Sequence, residues 1–423
     1  MQLLIRAARV IDNYSPYNGQ IKDILIENSI IIEIGDGLTA GDIPVYEANN
    51  LHISAGWVDM RVSAHDPGSE HKEDLHTVSR AAAAGGFTEI AILPNTNPAL
   101  DSKDTVGYVQ RIGQGALVKI HAVGAVTKKC LGVDFTEMID LSHAGAVAFS
   151  DGTQPIQNTH ILLKTLQYLQ PLNRVLMNRA EDAQLAVFGQ INEGITSTML
   201  GLRGLPTIAE ELAIMRDLKL LEYVGAKTDR PLLHFSTIST AESVALIREA
   251  KRKGLPVSCD VAAHQMAFDD GIMTGFDTNY KVIPPFRSQT DIAALWNGLA
   301  DGTIDAVVSD HLPQDEEAKN LEFDLAEFGI IGLETVFSLL INNNNKLTVS
   351  QIIEKLTHAP RHILRLPALT VREGAAANLT LFDPTLSWQY DRTNSKSKNS
   401  PFLNKTLTGK VLGVVNNGRT SLV

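Results

Sequence analysis

Trp57-Val58-Asp59-Met60-Arg61-Val62-Ser63-Ala64-His65-Asp66-Pro67-Gly68 begins the part of the chain that decides the fold. The run to Val62 has the apolar, β-branched character of a strand, and Pro67-Gly68 supplies the loop that stops it. Working outward, the same unit recurs: a short apolar run, a polar loop, then a helical stretch rich in Ala, Leu and Glu. Eight strand candidates result: Trp57-Val62, Glu89-Leu93, Ile120-Ala125, Ala146-Ser150, Arg174-Asn178, Leu232-Phe235, Pro256-Val261 and Ala306-Ser309. Eight strands with intervening helices predict an α/β protein built on a closed (β/α)8 TIM barrel. No internal sequence repeat is evident, so count and spacing carry this assignment.

The flanks read differently. Leu3-Ile5, Ile24-Ile26, Ile30-Ile34, Val45-Ala48 and His52-Ile53 are short β-rich runs separated by turn residues, and Ala377-Leu381 and Lys410-Val415 continue the pattern near the other end. We expect residues 1–53 and 372–423 to form one composite β-sandwich domain, with 54–371 as the barrel.

The chain has 423 residues, 44% of them hydrophobic, enough for a barrel-sized core with an appendage. A net charge of -11 and the absence of a Lys/Arg block argue against a nucleic-acid surface. Cys130 and Cys259 are too few and too distant for a disulfide framework or a thiolate metal site, which fits a reducing compartment. No apolar stretch approaches membrane-spanning length, and the start lacks an export signal, so a cytoplasmic location is expected.

Barrel chemistry sits where strands end, because the loops on that rim converge. Those ends present Arg61 and Ser63, Pro94-Asn95-Thr96, Thr127-Lys128, Asp151, Arg179, Thr237, Ala263-His264 and Asp310-His311. Polar residues abound there, but histidines are scarce.

Several runs resemble the dihydroorotases of the amidohydrolase superfamily, in the branch related to allantoinases and hydantoinases. They include Pro67-Gly68 with Lys72-Glu73-Asp74, Ala81-Ala82-Ala83-Ala84-Gly85-Gly86-Phe87-Thr88, Pro94-Asn95-Thr96-Asn97-Pro98 and Asp277-Thr278-Asn279-Tyr280-Lys281. Pro284-Pro285, Asp301-Gly302-Thr303-Ile304-Asp305, Ser309-Asp310-His311, Gly329-Ile330-Ile331-Gly332-Leu333-Glu334-Thr335 and Ser395-Lys396-Ser397 follow in order. The resemblance implies a barrel with a terminal β-sandwich, and zinc-dependent hydrolysis of a cyclic amide in pyrimidine biosynthesis. Zinc there lowers the pKa of its bound water and polarises the carbonyl.

The ligand positions depart from that pattern. The family's His-x-His aligns with Arg61-Val62-Ser63, and its Asp-Asp-Gly with Asp151-Gly152-Thr153, which puts Gly152 at the second acid. Arg179 stands at the strand-five His ahead of Glu181-Asp182, and Thr237 at a strand-six ligand between His234 and Ser239-Thr240. Asp310 alone keeps the family side chain, at a position that is catalytic in the family, and one carboxylate cannot hold zinc where about three protein ligands are needed. Among substrate-binding positions Asn95 and His311 remain, His65 replaces an Arg, Ile283 an Asn, and Gln314 a His.

These departures imply a degenerate member, a pseudo-dihydroorotase without zinc. We expect Arg61 and Arg179 to stand near the vacated metal position, facing Asp310 and Asp151. The implied role is a binding or assembly component. Its expected partners are an aspartate transcarbamoylase, a small cyclic amide or anionic ligand, and a second copy in a homodimer. The competing expectation is an active dihydroorotase, or a relative opening another cyclic amide, with an atypical site.

Three other readings compete. His65, His71 and His76 with Asp66, Glu70, Glu73 and Asp74 could form a relocated metal site, but their spacing suits loop and helix-cap roles better. Ser63 or Ser309 beside Asp310-His311 would suggest a nucleophile and base, although no oxyanion hole is legible. Gly85-Gly86 looks like a phosphate loop, but close helix-to-strand packing explains it more simply.

Overall fold

The computed structural model describes all 423 residues. From the N-terminus come β1 (Gln2–Val10), β2 (Ile21–Glu27), β3 (Ile30–Gly35), β4 (Val45–Tyr46) and β5 (His52–Ala55). The barrel strands begin with β6 (Trp57–Val62), β7 (Phe87–Ile92), β8 (Lys119–Ala125), β9 (Ala148–Ser150) and β10 (Leu176–Arg179). A small parallel pair, β11 (Ile191–Asn192) and β12 (Gly204–Leu205), interrupts the series before β13 (Leu233–Ser236), β14 (Val257–Ala262) and β15 (Ala306–Val308) complete it. The chain ends in β16 (Leu379–Tyr390), β17 (Lys405–Asn416) and β18 (Arg419–Leu422).

The eight expected barrel strands are all present, hydrogen-bonded in the order β6-β7-β8-β9-β10-β13-β14-β15. The sheet closes where β15 runs out. Val62 bridges His311, and the Ser63 amide donates to the His311 carbonyl at 2.9 Å. Asp59 reinforces the seam by accepting from the Ser309 amide at 2.9 Å. Strand one is therefore tied to strand eight at the rim where chemistry would occur.

The terminal segments join in one sheet, β18-β17-β16-β5-β1-β2-β3, with β4 paired to β1. Its own core comprises 16 residues, among them Ile5, Ile24, Ile53, Leu379 and Leu381. β16 and β17 run much longer than Ala377-Leu381 and Lys410-Val415 suggest, 12 residues each. Their length has a packing reason: Tyr390, Leu407, Val411 and Val414 extend past the terminal core and join the barrel core.

Trp57 fixes the junction, fully buried against Phe337 and Phe382 at ring-centroid distances of 5.2 and 5.6 Å. Gly85 and Gly86 serve this junction. A β-carbon on Gly85 would lie 2.1 Å from the Leu333 carbonyl oxygen, and one on Gly86 2.7 Å from the Trp57 ring. Backbone approach, not phosphate, requires those glycines.

Candidate functional site

The β6 rim is built on a buried acid. Asp59 Oδ1 accepts from the Arg61 amide at 2.9 Å while Oδ2 takes the Ser309 amide, and burial pushes its carboxyl up to about 6. Beside it, His234 lies 2.8 Å from both Asp260 Oδ2 and Ser258 Oγ, all within the barrel interior. Side chains two residues along a strand share a face, so Arg61 stands above Asp59 and Ser236 above His234.

Arg61 is 2% exposed and its Nε donates to Asp310 Oδ1 at 2.7 Å. Removing Asp310 would strand the buried guanidinium, at a cost of about 3–5 kcal/mol. Arg61 Nη1 finds no partner, nor do the buried Ser236 Oγ and His264 Nε2. Burial holds the His264 imidazole down at about 4, so it is neutral at pH 7.

The opposite flank uses no arginine. Asp151 Oδ1 accepts from the Val126 and Thr127 amides at 3.0 and 2.9 Å, and Oδ2 from the Thr127 hydroxyl at 2.6 Å. Burial raises this carboxyl, partly offset by those hydrogen bonds. Arg179 turns away from both Asp310 and Asp151: its guanidinium pairs with Glu181 and donates to the Thr153 carbonyl at 2.8 Å. The expectation that it faces Asp310 or Asp151 does not describe this geometry, because Glu181 lies two residues along the same chain and captures the charge first.

Asn95 occupies the space beside Gly152. Its Nδ2 donates to the Asp151 carbonyl at 3.0 Å and its Oδ1 accepts from the Thr153 amide at 2.8 Å. A β-carbon on Gly152 would lie 1.7 Å from Asn95 Oδ1, and Gly152 has φ +64°. Only glycine fits both the backbone and the amide. Asn95, expected to bind substrate, here has both ends of its amide engaged by the β9 loop.

The other two substrate-binding candidates are likewise engaged. His65 Nε2 donates to the Pro313 carbonyl at 2.9 Å, and burial lowers its imidazole to about 4. His311 Nδ1 accepts from the Gly332 amide at 3.2 Å, leaving Nε2 3.5 Å from Glu73 Oε2. Gln314 bridges Lys72 Nζ at 2.7 Å and the Phe328 carbonyl at 2.9 Å. Ile283 is half-buried ahead of Pro284.

Glu73, weighed only as a relocated metal ligand, is a hub. Fully buried, it accepts from Thr77 and Ser395, and its carboxyl sits low because these bonds and His311 outweigh the desolvation that would raise it. Ser397 Oγ meets the Lys72 carbonyl at 2.8 Å, so Lys72-Glu73-Asp74 and Ser395-Lys396-Ser397 clasp each other. The sequence showed both runs but not that they touch.

Strain marks the same rim. His65, Thr237 and Asp310 have φ of 58°, 54° and 48°. A β-branched residue in the left-handed region is a true outlier, and such conformations gather at functional sites. Thr237 is held there by its amide, which donates to Asp260 Oδ1 at 2.6 Å.

The residues present do not fit a zinc centre. Arg61, Ser63, Gly152, Arg179 and Thr237 are not its usual His or carboxylate ligands, Asp310 is taken by a guanidinium, and no three His, Cys, Asp or Glu groups are arranged to hold a metal ion. The histidines near Asp66 are dispersed: His71 pairs with Asp315 at 3.2 Å and His76 is exposed in the first turn of helix Leu75–Ala84, capped by Asp74. Ser309 Oγ accepts from the His311 amide at 3.1 Å, and His311 Nε2 faces Glu73, so these residues form no serine–base pair. A separate small cavity of about 10 Å³ between Arg179, Thr237, Pro284 and Arg287 has space for about one water; Arg61, Asp310, Asp151 and Asn95 do not line it.

Comparison with known proteins bears on the family. A dihydro-orotase-like family model matches residues 52–243, and an amidohydrolase family model matches 176–420. Dihydroorotases of Citrifermentans bemidjiense and Pelobacter propionicus are 39% and 40% identical over 425 residues, covering 99% of this chain and 99% of each relative. Among solved structures, the L-hydantoinase (dihydropyrimidinase) of Arthrobacter aurescens superposes with a TM-score of 0.84 at 22% identity, covering 100% of this chain and 97% of that one. The dihydropyrimidinase of Brevibacillus agri gives 0.82 at 21%, covering 100% and 95%; at these identities the likeness is one of fold. No helix is long and apolar enough to cross a membrane. Full-length similarity to dihydroorotases, carried on an eight-stranded parallel barrel with a sheet from both termini, places the chain in the dihydroorotase family of the amidohydrolase superfamily.

Proposed function

We propose that this chain is a dihydroorotase-family protein that works as a binding or assembly component without zinc-dependent ring opening. The observation that carries the reading is the Arg61–Asp310 pair at 2.7 Å, a fixed cation seated on the one retained ligand carboxylate. An arginine guanidinium does not deprotonate in a protein and cannot bind a cation. The internally engaged Asn95, His65 and His311 agree with it. In this reading the barrel of residues 54–371 and the composite domain of 1–53 with 372–423 are retained as a scaffold. Its partner is an aspartate transcarbamoylase; any small ligand is a cyclic amide or an anion at the barrel mouth.

A second reading is supported by the relatives, all named dihydroorotase at about 40% identity over the full chain: ring-opening hydrolysis of a cyclic amide such as dihydroorotate by an atypical site. The names favour this activity over the component role. The site's side chains favour the reverse.

One experiment separates the two. The full chain, expressed with its native transcarbamoylase, is purified in zinc-supplemented buffer and assayed for dihydroorotate ring opening by loss of ultraviolet absorbance. Co-purification with turnover no greater than buffer supports the component reading. Turnover that disappears in Asp310→Ala establishes the enzyme.

A further inference from the structure

A cavity of about 440 Å³ opens at the end of the barrel opposite the mouth, among the loops that lead into β13, β14 and β15, with helix His358–Leu364 as one wall. That volume suits a small organic molecule, for which pockets of roughly 300–1,000 Å³ are usual. Barrel chemistry belongs to the other rim, so a molecule here would be bound and not turned over.

Positive charge gathers at this cavity. Arg365, left-handed at φ 58° where helix His358–Leu364 ends, donates through Nε to the Asn173 side chain at 3.4 Å and through Nη2 to the Pro231 carbonyl at 2.5 Å. Those bonds hold it beside Arg174 and Arg230, the chain neighbours of Asn173 and Pro231. Burial, Arg230 and Arg174 push the Arg365 guanidinium down to about 10, and burial, Arg230 and Arg365 lower the His362 imidazole. Arginines elsewhere in the barrel, such as Arg61, Arg216 and Arg361, have carboxylate partners. Arg174, Arg230 and Arg365 form no ion pair, although the chain carries a net charge of -11. Arg230 is half-buried on the cavity wall, and its guanidinium makes no hydrogen bond to the protein. An anion would satisfy those free donors.

The other walls narrow the kind of anion. Tyr14 and His358 line one side with ring centroids 4.3 Å apart, and Tyr14 is 62% exposed, which leaves an aromatic face for a planar ring. Pro231, Leu255, Pro256 and Ile363 add apolar surface. Three carboxylates are present as well. Asp305 is taken by Lys251 Nζ at 2.7 Å and the Cys259 amide at 2.9 Å, Glu354 accepts from Asn13 Nδ2 at 3.3 Å, and Asp229 has no partner. These acids repel a bare anion but accept from hydroxyl and ring N–H groups. An anion that carries such donors therefore fits better than free phosphate.

We propose that this cavity binds a nucleoside monophosphate, with its phosphate on Arg230 and His362 and its base against Tyr14 and His358. The site lies at the far end of the barrel from Arg61 and Asp310, so neither reading of the mouth decides it.

Calorimetric titration of the native full chain with the 5′-monophosphates of adenosine, guanosine, cytidine and uridine provides the test. At least one should bind with a Kd below about 100 μM, and about tenfold or more tighter than inorganic phosphate. Arg230→Ala should weaken that binding by about tenfold or more, the loss expected for a charge-assisted hydrogen bond. Its circular dichroism spectrum should be unchanged, because the Arg230 side chain bonds nothing in the fold. Tyr14→Ala should weaken the nucleotide severalfold and leave inorganic phosphate unaffected. Failure of all four nucleotides to bind would overturn the proposal. Nucleotide affinity unchanged in Arg230→Ala would place the contact elsewhere and overturn it too, as would inorganic phosphate bound as tightly as any nucleotide.

Discussion

The two flanks of the barrel mouth treat their carboxylates in opposite ways. Asp310 is met by a charge, Arg61, whereas Asp151 is met by two amides and a hydroxyl, with no cation in reach. A buried carboxylate at the barrel mouth is thus satisfied by more than one device. A carboxylate on the seam between first and last strands can be neutralised by an arginine already pointing inward. One at a strand end with free amides beside it can be solvated by the backbone, and its neighbour's space filled by Asn95.

Breaking the charged side should cost most. Asp310→Asn strands the buried Arg61 and should lower unfolding free energy in urea by about 3–5 kcal/mol, and Arg61→Ala, which leaves the 14%-exposed Asp310 in partial contact with water, by less. The double variant Arg61→Met, Asp310→Asn should recover most of that loss, because it removes both charges. Equal effects from single and double variants would show that Arg61 matters for packing alone.

The steric side comes next. Gly152→Asp places a side chain at φ +64° and drives its β-carbon to 1.7 Å from Asn95 Oδ1, so roughly 1–3 kcal/mol is expected from backbone strain, before the collision is counted. Asn95→Ala should relieve the collision and leave the strain. A consequence is that the ligand-restoring set Arg61→His, Ser63→His, Gly152→Asp, Arg179→His and Thr237→His should take up zinc only when Asn95→Ala accompanies it, as metal analysis would show.

Smaller effects are expected on the hydrogen-bonded flank. Thr127→Val removes a buried hydroxyl donor and should destabilise by about 1–3 kcal/mol in thermal unfolding. Asp151→Asn keeps one acceptor oxygen for both amides and should stay within about 1 kcal/mol of native at pH 7. Its pH dependence has a definite sign. Because the folded carboxyl is raised above its ordinary value, its contribution is fully present below the unfolded pKa near 4 and is lost as pH rises through the folded value. Stability of Asp151→Asn relative to native should therefore increase with pH across that window. A decrease would mean that Asp151 is stabilised as the anion.

Much of this architecture was legible in the chain. Mostly apolar runs such as Trp57-Val62 and Ala306-Ser309 marked all eight strands to within a few residues, since a strand buried on both faces is dominated by apolar residues even where, as at Asp59 and Arg61, it carries paired polar ones. The rim residues at strand ends were legible from where those strands stop, and Arg61 near Asp310 was expected from the family register that puts Arg61-Val62-Ser63 at the His-x-His. What could not be read depends on three-dimensional closeness. Glu181 competing for Arg179, Asn95 filling the volume next to Gly152, and Ser395 reaching Glu73 across 322 residues leave no periodic trace.

Zinc content is the direct measure of whether the Arg61–Asp310 pair closes the metal position. The native chain and Asp310→Ala, both expressed in zinc-rich medium and desalted, are measured by inductively coupled plasma mass spectrometry. The account predicts well under one zinc per chain in both. One or two zinc ions per native chain, lost in Asp310→Ala, would contradict it.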